Sequence, residues 1–346
     1  MPLKLLILFL SLFGQSQTDN SSLQLRIKTL AAAMDSVRKA YRDDFQKLST
    51  SDAVENWYAN LPHWPEPAES SLVAYFPMGE SASTESVRGG TLKSLANRVD
   101  ADLPGKGERE TIATKQDGSH SAVILEGNNA LLFPGVGAFH WTDEFTIAFE
   151  IKLPKSFQHA VVLCRTTSGQ PSVRGYELVI DEGSFCLALN GGGPSNAIRI
   201  RCRDRLPADR WIQVALVYSG SKSADETFVY VDGKRCDSTI ERDSLQQDFF
   251  IDASTPMAIG GQAIGQSPVG ALVDRLQVYN SALTPIEIAS IATDAAFLTW
   301  GELTDPQKVQ WREHYARRAD PQCRYHIESF QHYFKSMSNL LQNARE

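Results

Sequence analysis

The stretch Phe145–Leu153, which reads FTIAFEIKL, decides the fold of this 346-residue chain. Its apolar side chains fall on every second residue, and Thr146, Glu150 and similar residues stand between them. Successive side chains of a β-strand point to opposite faces of a sheet. The alternation therefore predicts a strand with one buried and one solvated face.

Working outward, the same pattern recurs along the middle of the chain. Ile212, Val214 and Leu216 alternate, and further strands are predicted near 121–125, 130–133, 159–165, 175–180, 184–190, 197–202, 256–260 and 270–279. The dipeptide Asp232-Gly233 predicts a tight hairpin, because both turn residues need positive φ. Many short strands separated by turns are typical of an antiparallel sandwich or jelly roll.

Both ends of the chain carry a helical pattern instead. Apolar residues recur at three- and four-residue steps within residues 20–60 and again within residues 294–346, which is the seam of a short coiled coil. The first seam comprises Ile27, Leu30, Met34, Val37 and Tyr41, and the second Ile327, Phe330, Phe334, Met337 and Leu341. We expect the two helices to pair antiparallel beside the sandwich. The alternative is that each packs on the sandwich or on a partner chain.

The remaining segments complete the domain plan. The proline-rich residues 61–70 predict a linker before a sandwich at 71–293. Residues 1–19 combine Lys4, an apolar run and the small residues Gly14 and Ser16, which predicts a signal peptide or an uncleaved N-terminal anchor. No other stretch is expected to cross a membrane. The protein is therefore expected to be secreted, periplasmic or at the cell surface.

Charge and cysteine content bear on the partners and the disulfide bonds that the protein can have. The formal net charge of -7 argues against a nucleic-acid partner. The five cysteines are an odd number, so they cannot all pair with one another. Cys186 and Cys202 lie on strands expected to be neighbours and could form one disulfide. The alternative is that the cysteines are small buried apolar residues.

The strand order resembles that of a known family. Leu72–Pro77 looks like the entry strand of laminin-G-like domains, and Arg210–Tyr218 and Gly270–Thr284 look like two of their later strands. The resemblance implies an all-β, concanavalin A-like jelly-roll sandwich, here with α-helical N- and C-terminal extensions. More narrowly, Arg174–Leu178 and Arg312–Tyr315 look like the laminin-G insert of planctomycete cytochrome-like secreted proteins. No haem-attachment sequence occurs, so no electron-transfer role is carried over.

Folds of this kind also include glycosidases, which need two carboxylates facing one groove. The laminarinase-type signature Glu-x-Asp-x-x-Glu has its nearest match at Glu241–Gln246, which lacks the last acid. No nucleophile elbow, zinc motif or phosphate-binding loop occurs. The sequence therefore predicts that the protein is not an enzyme.

Asp274 is the candidate metal ligand. By alternation it shares a face with Leu272, Leu276 and Val278, so it is expected to point inward or toward a sheet rim. A buried carboxylate needs donors or a cation. The resemblance implies calcium as a possible cofactor, and the structural alternative is an acceptor for loop amides. The acidic stretch expected after the entry strand is reduced to Glu80 and Glu85, which favours the structural alternative.

The candidate ligand-binding residues are Arg199, Arg201, Arg203 and Trp141. The three arginines stand at every second residue, with Arg205 continuing the series, and a row of guanidinium groups suits sulfate or carboxylate. The alternative is a solvated face paired with acids such as Asp181, Glu182 and Asp204. Trp141 precedes a core strand and could stack on a sugar ring, or could plug the end of the sandwich.

Together these features predict a non-catalytic extracellular binding module that recognises carbohydrate, with acidic or sulfated polysaccharide as the favoured ligand. The alternative is a scaffold protein that docks a cell-surface protein through the sandwich and the paired terminal helices. The two hypotheses differ in whether the arginine row binds a polysaccharide.

Overall fold

The fold is that of a computed structural model, which describes residues 17–78, 114–127, 130–133, 135–155, 159–167, 173–193, 195–252, 254–261, 267–292 and 298–344. The chain forms two compact units, one from Met1–Trp64 with Ala296–Glu346 and one from Pro65–Ala295. Residues 1–16, which hold most of the expected leader, lie outside the described residues, as do Glu80 and Glu85. Within the described residues, no helix is both long and apolar enough to span a membrane.

The unit Pro65–Ala295 is a sandwich of two antiparallel sheets. Its strands are β1 (Leu72–Phe76), β2 (Thr114–Asp117), β3 (His120–Ile124), β4 (Ala130–Phe133), β5 (Phe145–Lys152), β6 (Ala160–Thr166), β7 (Arg174–Asp181), β8 (Ser184–Gly191), β9 (Ala197–Cys202), β10 (Trp211–Tyr218), β11 (Thr227–Val231), β12 (Lys234–Arg235), β13 (Ser238–Asp243), β14 (Met257–Gly260) and β15 (Leu272–Tyr279). The first sheet has the order β12-β11-β10-β5-β15-β3-β2, with β1 also paired to β15. The second has the order β13-β9-β8-β7-β6-β14-β4. The predicted all-β class is confirmed.

The core lies between the two sheets. The ring of Phe145 in β5 lies 5.5 Å from that of Tyr176 in the second sheet, and Phe76 lies 4.9 Å from Phe133 across the same space. Alternation along β5 therefore turns Phe145 and its apolar partners inward. Glu150 has the opposite parity and lies on the outer face of the first sheet, as the sequence predicts.

Local chemistry explains the turns and the first helix of the C-terminal region. Asp232 and Gly233 have φ values of 50° and 74°, which confirms the predicted hairpin. Helix α3 (Pro285–Ala292) begins after Thr284, whose amide donates to Glu287 Oε2 at 2.8 Å. This reciprocal cap and the proline at the first helical position fix the start of the helix. The helix packs on the outer face of the first sheet, where Ile288 joins a cluster with Ala148 and Ala215.

The other unit is helical and draws on both ends of the chain. It contains α1 (Gln17–Lys47), α2 (Ala53–Ala59), α4 (Asp305–Arg318) and α5 (Pro321–Asn343). Helices α1 and α5 pack together. Asp44 Oδ2 lies 2.9 Å from His326 Nε2, and the Arg38 guanidinium lies 4.4 Å from the centre of the Phe330 ring. The earlier residue of α1, Arg38, contacts the later residue of α5, Phe330, so the two helices run antiparallel. The predicted pairing is confirmed.

An aromatic cluster joins α4 to the preceding segments of this unit. Trp311 is only 1% exposed. Its ring lies 4.6 Å from that of Tyr58 and 5.1 Å from that of Trp64, both in edge-to-face contact. Trp57 adds a further contact at 6.1 Å. Such pairs contribute beyond the area they bury, so Trp311 is the central packing residue here.

Four of the five cysteines behave as buried apolar residues. All five are free thiols, and Cys164, Cys186, Cys202 and Cys323 are buried. Cys186 lies opposite Arg201 on the neighbouring strand, so it is next to the strand of Cys202 as expected, but no disulfide joins the two.

Candidate functional site

Two of the predicted arginines, Arg199 and Arg201, lie on one face of β9. Arg199 lies opposite Ala188 and Arg201 opposite Cys186 in the register with β8. Ile198 and Ile200, between and beside them, are buried on the opposite face. The period-two pattern thus places both guanidinium groups on the outer face of the second sheet. Arg203 and Arg205 follow the end of the strand.

The arginines meet acids contributed by other strands. Glu241 of β13 accepts from both strand arginines, at 2.7 Å from Arg199 Nε and 2.5 Å from Arg201 Nε. Asp181, at the end of β7, accepts from Arg201 Nη2 at 2.6 Å. The expected pairing with acids therefore holds for Asp181, whereas Glu241 was not predicted as a partner.

These contacts lower the pKa values of both acids. A hydrogen bond from Arg201 is the largest cause for Asp181. Partial burial alone would raise the pKa of Glu241, but hydrogen bonds from Arg201 and Arg199 outweigh it. Both carboxyl groups therefore stay ionised at neutral pH and hold the two guanidinium groups in fixed positions.

The far end of this surface is an open groove of about 810 Å³, which we call the arginine groove. Its lining residues come from four segments of the chain and include His159, Asp181, Arg201, Arg203, Arg205 and Thr239. Arg203 is paired with Asp237 at 2.9 Å. Among the described residues, Arg205 has no hydrogen-bond or ion-pair partner, and it is exposed. The groove therefore brings three of the four arginines in the series together and leaves one of them uncommitted.

Glu177 of β7 lies on the same face, one strand away from Arg199 through Ala188. Burial raises the pKa of Glu177 and outweighs the opposing attraction of Arg199. A carboxyl group in such a place is a cost to the folded state when it is ionised.

We expect Glu177→Gln to stabilise the sandwich at neutral pH. Because the folded state holds the proton more tightly, native stability falls as pH rises from the unfolded to the folded pKa of Glu177. The gain should vanish in acid and reach about 2 °C in Tm above that window. Thermal melts at several pH values test this, with the exposed Glu182→Gln as control. An equal Tm for Glu177→Gln and the native protein at neutral pH would contradict it.

Trp141 does not present its ring to a ligand, so its predicted role in sugar stacking is wrong. Only 3% of the residue is exposed. Its amide donates to Asp248 Oδ1 at 2.9 Å, and its carbonyl accepts from the Tyr218 hydroxyl at 2.6 Å. The backbone of Trp141 is thus anchored and its side chain is buried, which is the structural role weighed against stacking.

Asp274 lies on the outer face of the first sheet and not on the face of Leu276 and Val278. It stands opposite Glu150, whereas Val278 stands opposite the inward Ile147. The register shifts between Asp274 and Gln277, so a bulge reverses the alternation there. Arg275, inside the bulge, has a φ of 51°. Asp274 therefore shares a face with Leu272, as predicted, but the prediction that it shares a face with Leu276 and Val278 is wrong.

The contacts of Asp274 match the structural alternative. Its Oδ1 accepts from the Met78 amide at 3.1 Å and from the Arg275 amide at 2.8 Å. The residue is only 3% exposed. The prediction of an acceptor for loop amides is thus confirmed by geometry, and calcium binding stays a prediction.

A polar cluster that sequence reasoning missed surrounds Asp274. Ligand atoms of His120, Glu150 and Asp274 all lie within 4.8 Å of one another. His120 Nε2 lies 2.6 Å from Glu150 Oε2, and Arg275 Nη1 lies 3.1 Å from Glu150 Oε1. The outward parity of Glu150 was visible in the sequence, but its partners become neighbours only through the sheet register.

One comparison with known proteins bears on the fold. Residues 125–289 match the family model described as the concanavalin A-like lectin/glucanases superfamily. Together with the two-sheet architecture, this match identifies the sandwich as a concanavalin A-like jelly roll, and the laminin-G-like prediction is confirmed. No curated protein matches the sequence.

Several solved structures are similar in shape. Domain 4 of a GH43 extracellular arabinanase from Geobacillus stearothermophilus, solved with arabinotriose, is 21% identical with a TM-score of 0.47, and the match covers 64% of this chain and 98% of that one. The binding domain of Paraclostridial Mosquitocidal Protein 1 is 13% identical with a TM-score of 0.43, covering 64% and 52%. The binding domain of botulinum neurotoxin serotype D is 12% identical with a TM-score of 0.41, covering 64% and 51%. The match thus spans about half of each toxin chain.

Proposed function

We propose that the protein is a non-catalytic extracellular binding module for acidic or sulfated polysaccharide, and that the arginine groove is its binding site. The observation that supports this most is the uncommitted Arg205 beside the paired guanidinium groups of Arg201 and Arg203. Sulfate and carboxylate groups are recognised by such charge-assisted hydrogen bonds.

The internal acids set the strength of this site. Arg201 and Arg203 are already neutralised by Asp181, Glu241 and Asp237, so they orient a ligand more than they attract it. Among the described residues, Arg205 is the guanidinium of the groove without an internal acid, although the acidic Glu182 also lines the groove. Binding should therefore be moderate in affinity and weakened by salt, because the groove is open to solvent.

The other outer face supports the non-catalytic part of the proposal. Glu150 and Asp274 are the closest carboxylate pair of the polar cluster, but Glu150 is bound by Arg275 and His120, and Asp274 by two backbone amides. A general acid of a glycosidase needs an environment that keeps it protonated, such as an apolar pocket. Both carboxylates are instead occupied by these internal contacts.

We expect the protein to bind heparin and dextran sulfate, and not the matched unsulfated dextran. Arg205→Ala should weaken this binding about tenfold or more, since a hydrogen bond to a charged group is worth about 1.5–3 kcal/mol. Because Arg205 has no internal partner among the described residues, its removal leaves no carboxylate unpaired and the fold is expected to stay intact. Titration calorimetry at two salt concentrations measures both effects.

The matched control is Arg210→Ala, which removes an exposed arginine outside the groove, paired with Asp232 at 2.8 Å. A triple Arg199/Arg201/Arg203→Ala variant tests the rest of the row. The titration is repeated with calcium and with chelator, which tests the calcium prediction separately. Absence of binding to every polymer, or equal losses in Arg205→Ala and Arg210→Ala, would rule out this site and favour the scaffold alternative.

A further inference from the structure

The polar cluster on the outer face of the first sheet is built from three neighbouring strands. His120 comes from β3, Glu150 from β5 and Asp274 from β15. Their exposed fractions are small, at 15% and 17% for the first two side chains and 3% for Asp274. Carboxylates and an imidazole whose ligand atoms lie within 4.8 Å can close around one metal ion.

The donor set does not fit calcium, the ion that the family resemblance implies. Calcium takes about six to eight oxygen ligands and has little use for an imidazole nitrogen. Here one of the three ligands is His120, and Oδ1 of Asp274 is already shared by two backbone amides. One histidine and two carboxylates are instead typical of zinc and related transition metals.

Neighbouring side chains fix the orientation of His120, the proposed nitrogen ligand. Its ring stacks on the indole of Trp211 at 3.9 Å and 10°, which fixes the ring plane and aims Nε2 at Glu150. The indole is held in turn, because Trp211 Nε1 donates to Asp117 Oδ2 at 2.9 Å. Such supporting contacts orient ligands around metals and commonly change affinity strongly.

A second observation points independently to a missing polar partner. Gln213 of β10 stands directly opposite Glu150 in the sheet, so its side chain lies on the same outer face. The residue is only 7% exposed, and neither its Oε1 nor its Nε2 has a hydrogen-bond partner in the part of the chain that the structure describes. Leaving a buried amide unpaired destabilises the folded state. A polar ligand beside Glu150 would remove that cost.

We propose that His120, Glu150 and Asp274 bind a divalent transition metal ion of the zinc type, with Gln213 hydrogen-bonding a water in the remaining position. Asp274 contributes Oδ2, since Oδ1 serves the amides of Met78 and Arg275. The guanidinium of Arg275 occupies the same region of Glu150 at 3.1 Å and competes with the ion. Its side chain is 42% exposed, so it can move into solvent when the ion binds.

The full chain, first stripped with chelator, is titrated with Zn²⁺ by calorimetry and with Co²⁺ by visible absorption. We expect one ion per chain and a Co²⁺ spectrum typical of a four-coordinate site. His120→Ala should weaken binding about 100-fold. Asp274→Asn, which keeps an acceptor for the two amides, should weaken it similarly. His332→Ala removes an exposed histidine of α5 and is the matched control.

Arg275→Gln separates a metal site from a purely structural network. Removing the competing cation should tighten Zn²⁺ binding about tenfold if the ion uses Glu150. Weaker or unchanged binding in this variant would overturn the proposal. So would absence of Zn²⁺ and Co²⁺ binding, equal affinities in His120→Ala and His332→Ala, or tighter binding of Ca²⁺ than of Zn²⁺.

Discussion

Replacing Trp311 by alanine is expected to unfold the helical unit under conditions in which the native protein is folded. The change removes a fully buried indole and its edge-to-face contacts with Tyr58 and Trp64, which leaves a large cavity. Such truncations cost about 3–5 kcal/mol, a large share of the 5–15 kcal/mol that stabilises a typical domain. Urea denaturation followed by far-UV circular dichroism should show an earlier loss of helical signal.

The circular dichroism signal reports on the intended unit, because α1 alone has 31 residues and α5 has 23, against 8 in α3 of the sandwich unit. Val309→Ala is the matched control, since Val309 lies on the same helix α4 and is 47% exposed. The packing argument is wrong if both variants lose helical signal at the same urea concentration.

Gly175→Ala is expected to destabilise the sandwich by about 3 kcal/mol or more, through strain and a steric clash together. Gly175 has a φ of 110°, a conformation that side chains rarely adopt. A Cβ there would lie 1.8 Å from the carbonyl oxygen of Arg165 on the neighbouring strand β6. Because backbone of two paired strands meets at this point, neither can yield without breaking the ladder.

Hydrogen exchange of peptides from β6 and β7 measures this effect directly. Gly118→Ala separates its two causes, because Gly118 also has a positive φ of 66° but a Cβ there meets no described residue within 4 Å. The control should lose only about 1 kcal/mol. Similar exchange rates in Gly175→Ala and Gly118→Ala would show that the close approach to Arg165 is not important.

The strands could be predicted because successive side chains of a strand point to opposite faces of the sheet. An alternation of apolar and polar residues therefore shows directly which side chains are buried. Phe145–Leu153 alternates without interruption, and β5 keeps a continuous register with β10. The hairpin at Asp232-Gly233 was equally visible, because the turn imposes a residue preference. The helix seams were readable for the same reason, since three- and four-residue steps follow one face of a helix.

The sites were harder to predict, because they depend on register and on interruptions of it. The bulge at Arg275 adds one residue to the strand without any local signal, so the face of Asp274 was inferred from the wrong phase. Glu241 contacts Arg199 and Arg201 because β13 pairs with β9, and this pairing could not be read from the sequence. Trp141 lies before its strand, where no periodicity distinguishes a buried ring from an exposed one.

The pairing of the two chain ends has a consequence for biosynthesis. Asp44 and His326, which meet in the helix pair, are 282 residues apart in sequence. At about 5–20 residues per second, α1 leaves the ribosome some 15 to 60 seconds before its partner exists. During this interval its apolar seam, with Ile27 and Met34, has no α5 to cover it. A nascent chain of this protein should therefore be a client of holding chaperones until α5 is made, even while the sandwich is completing its own strands.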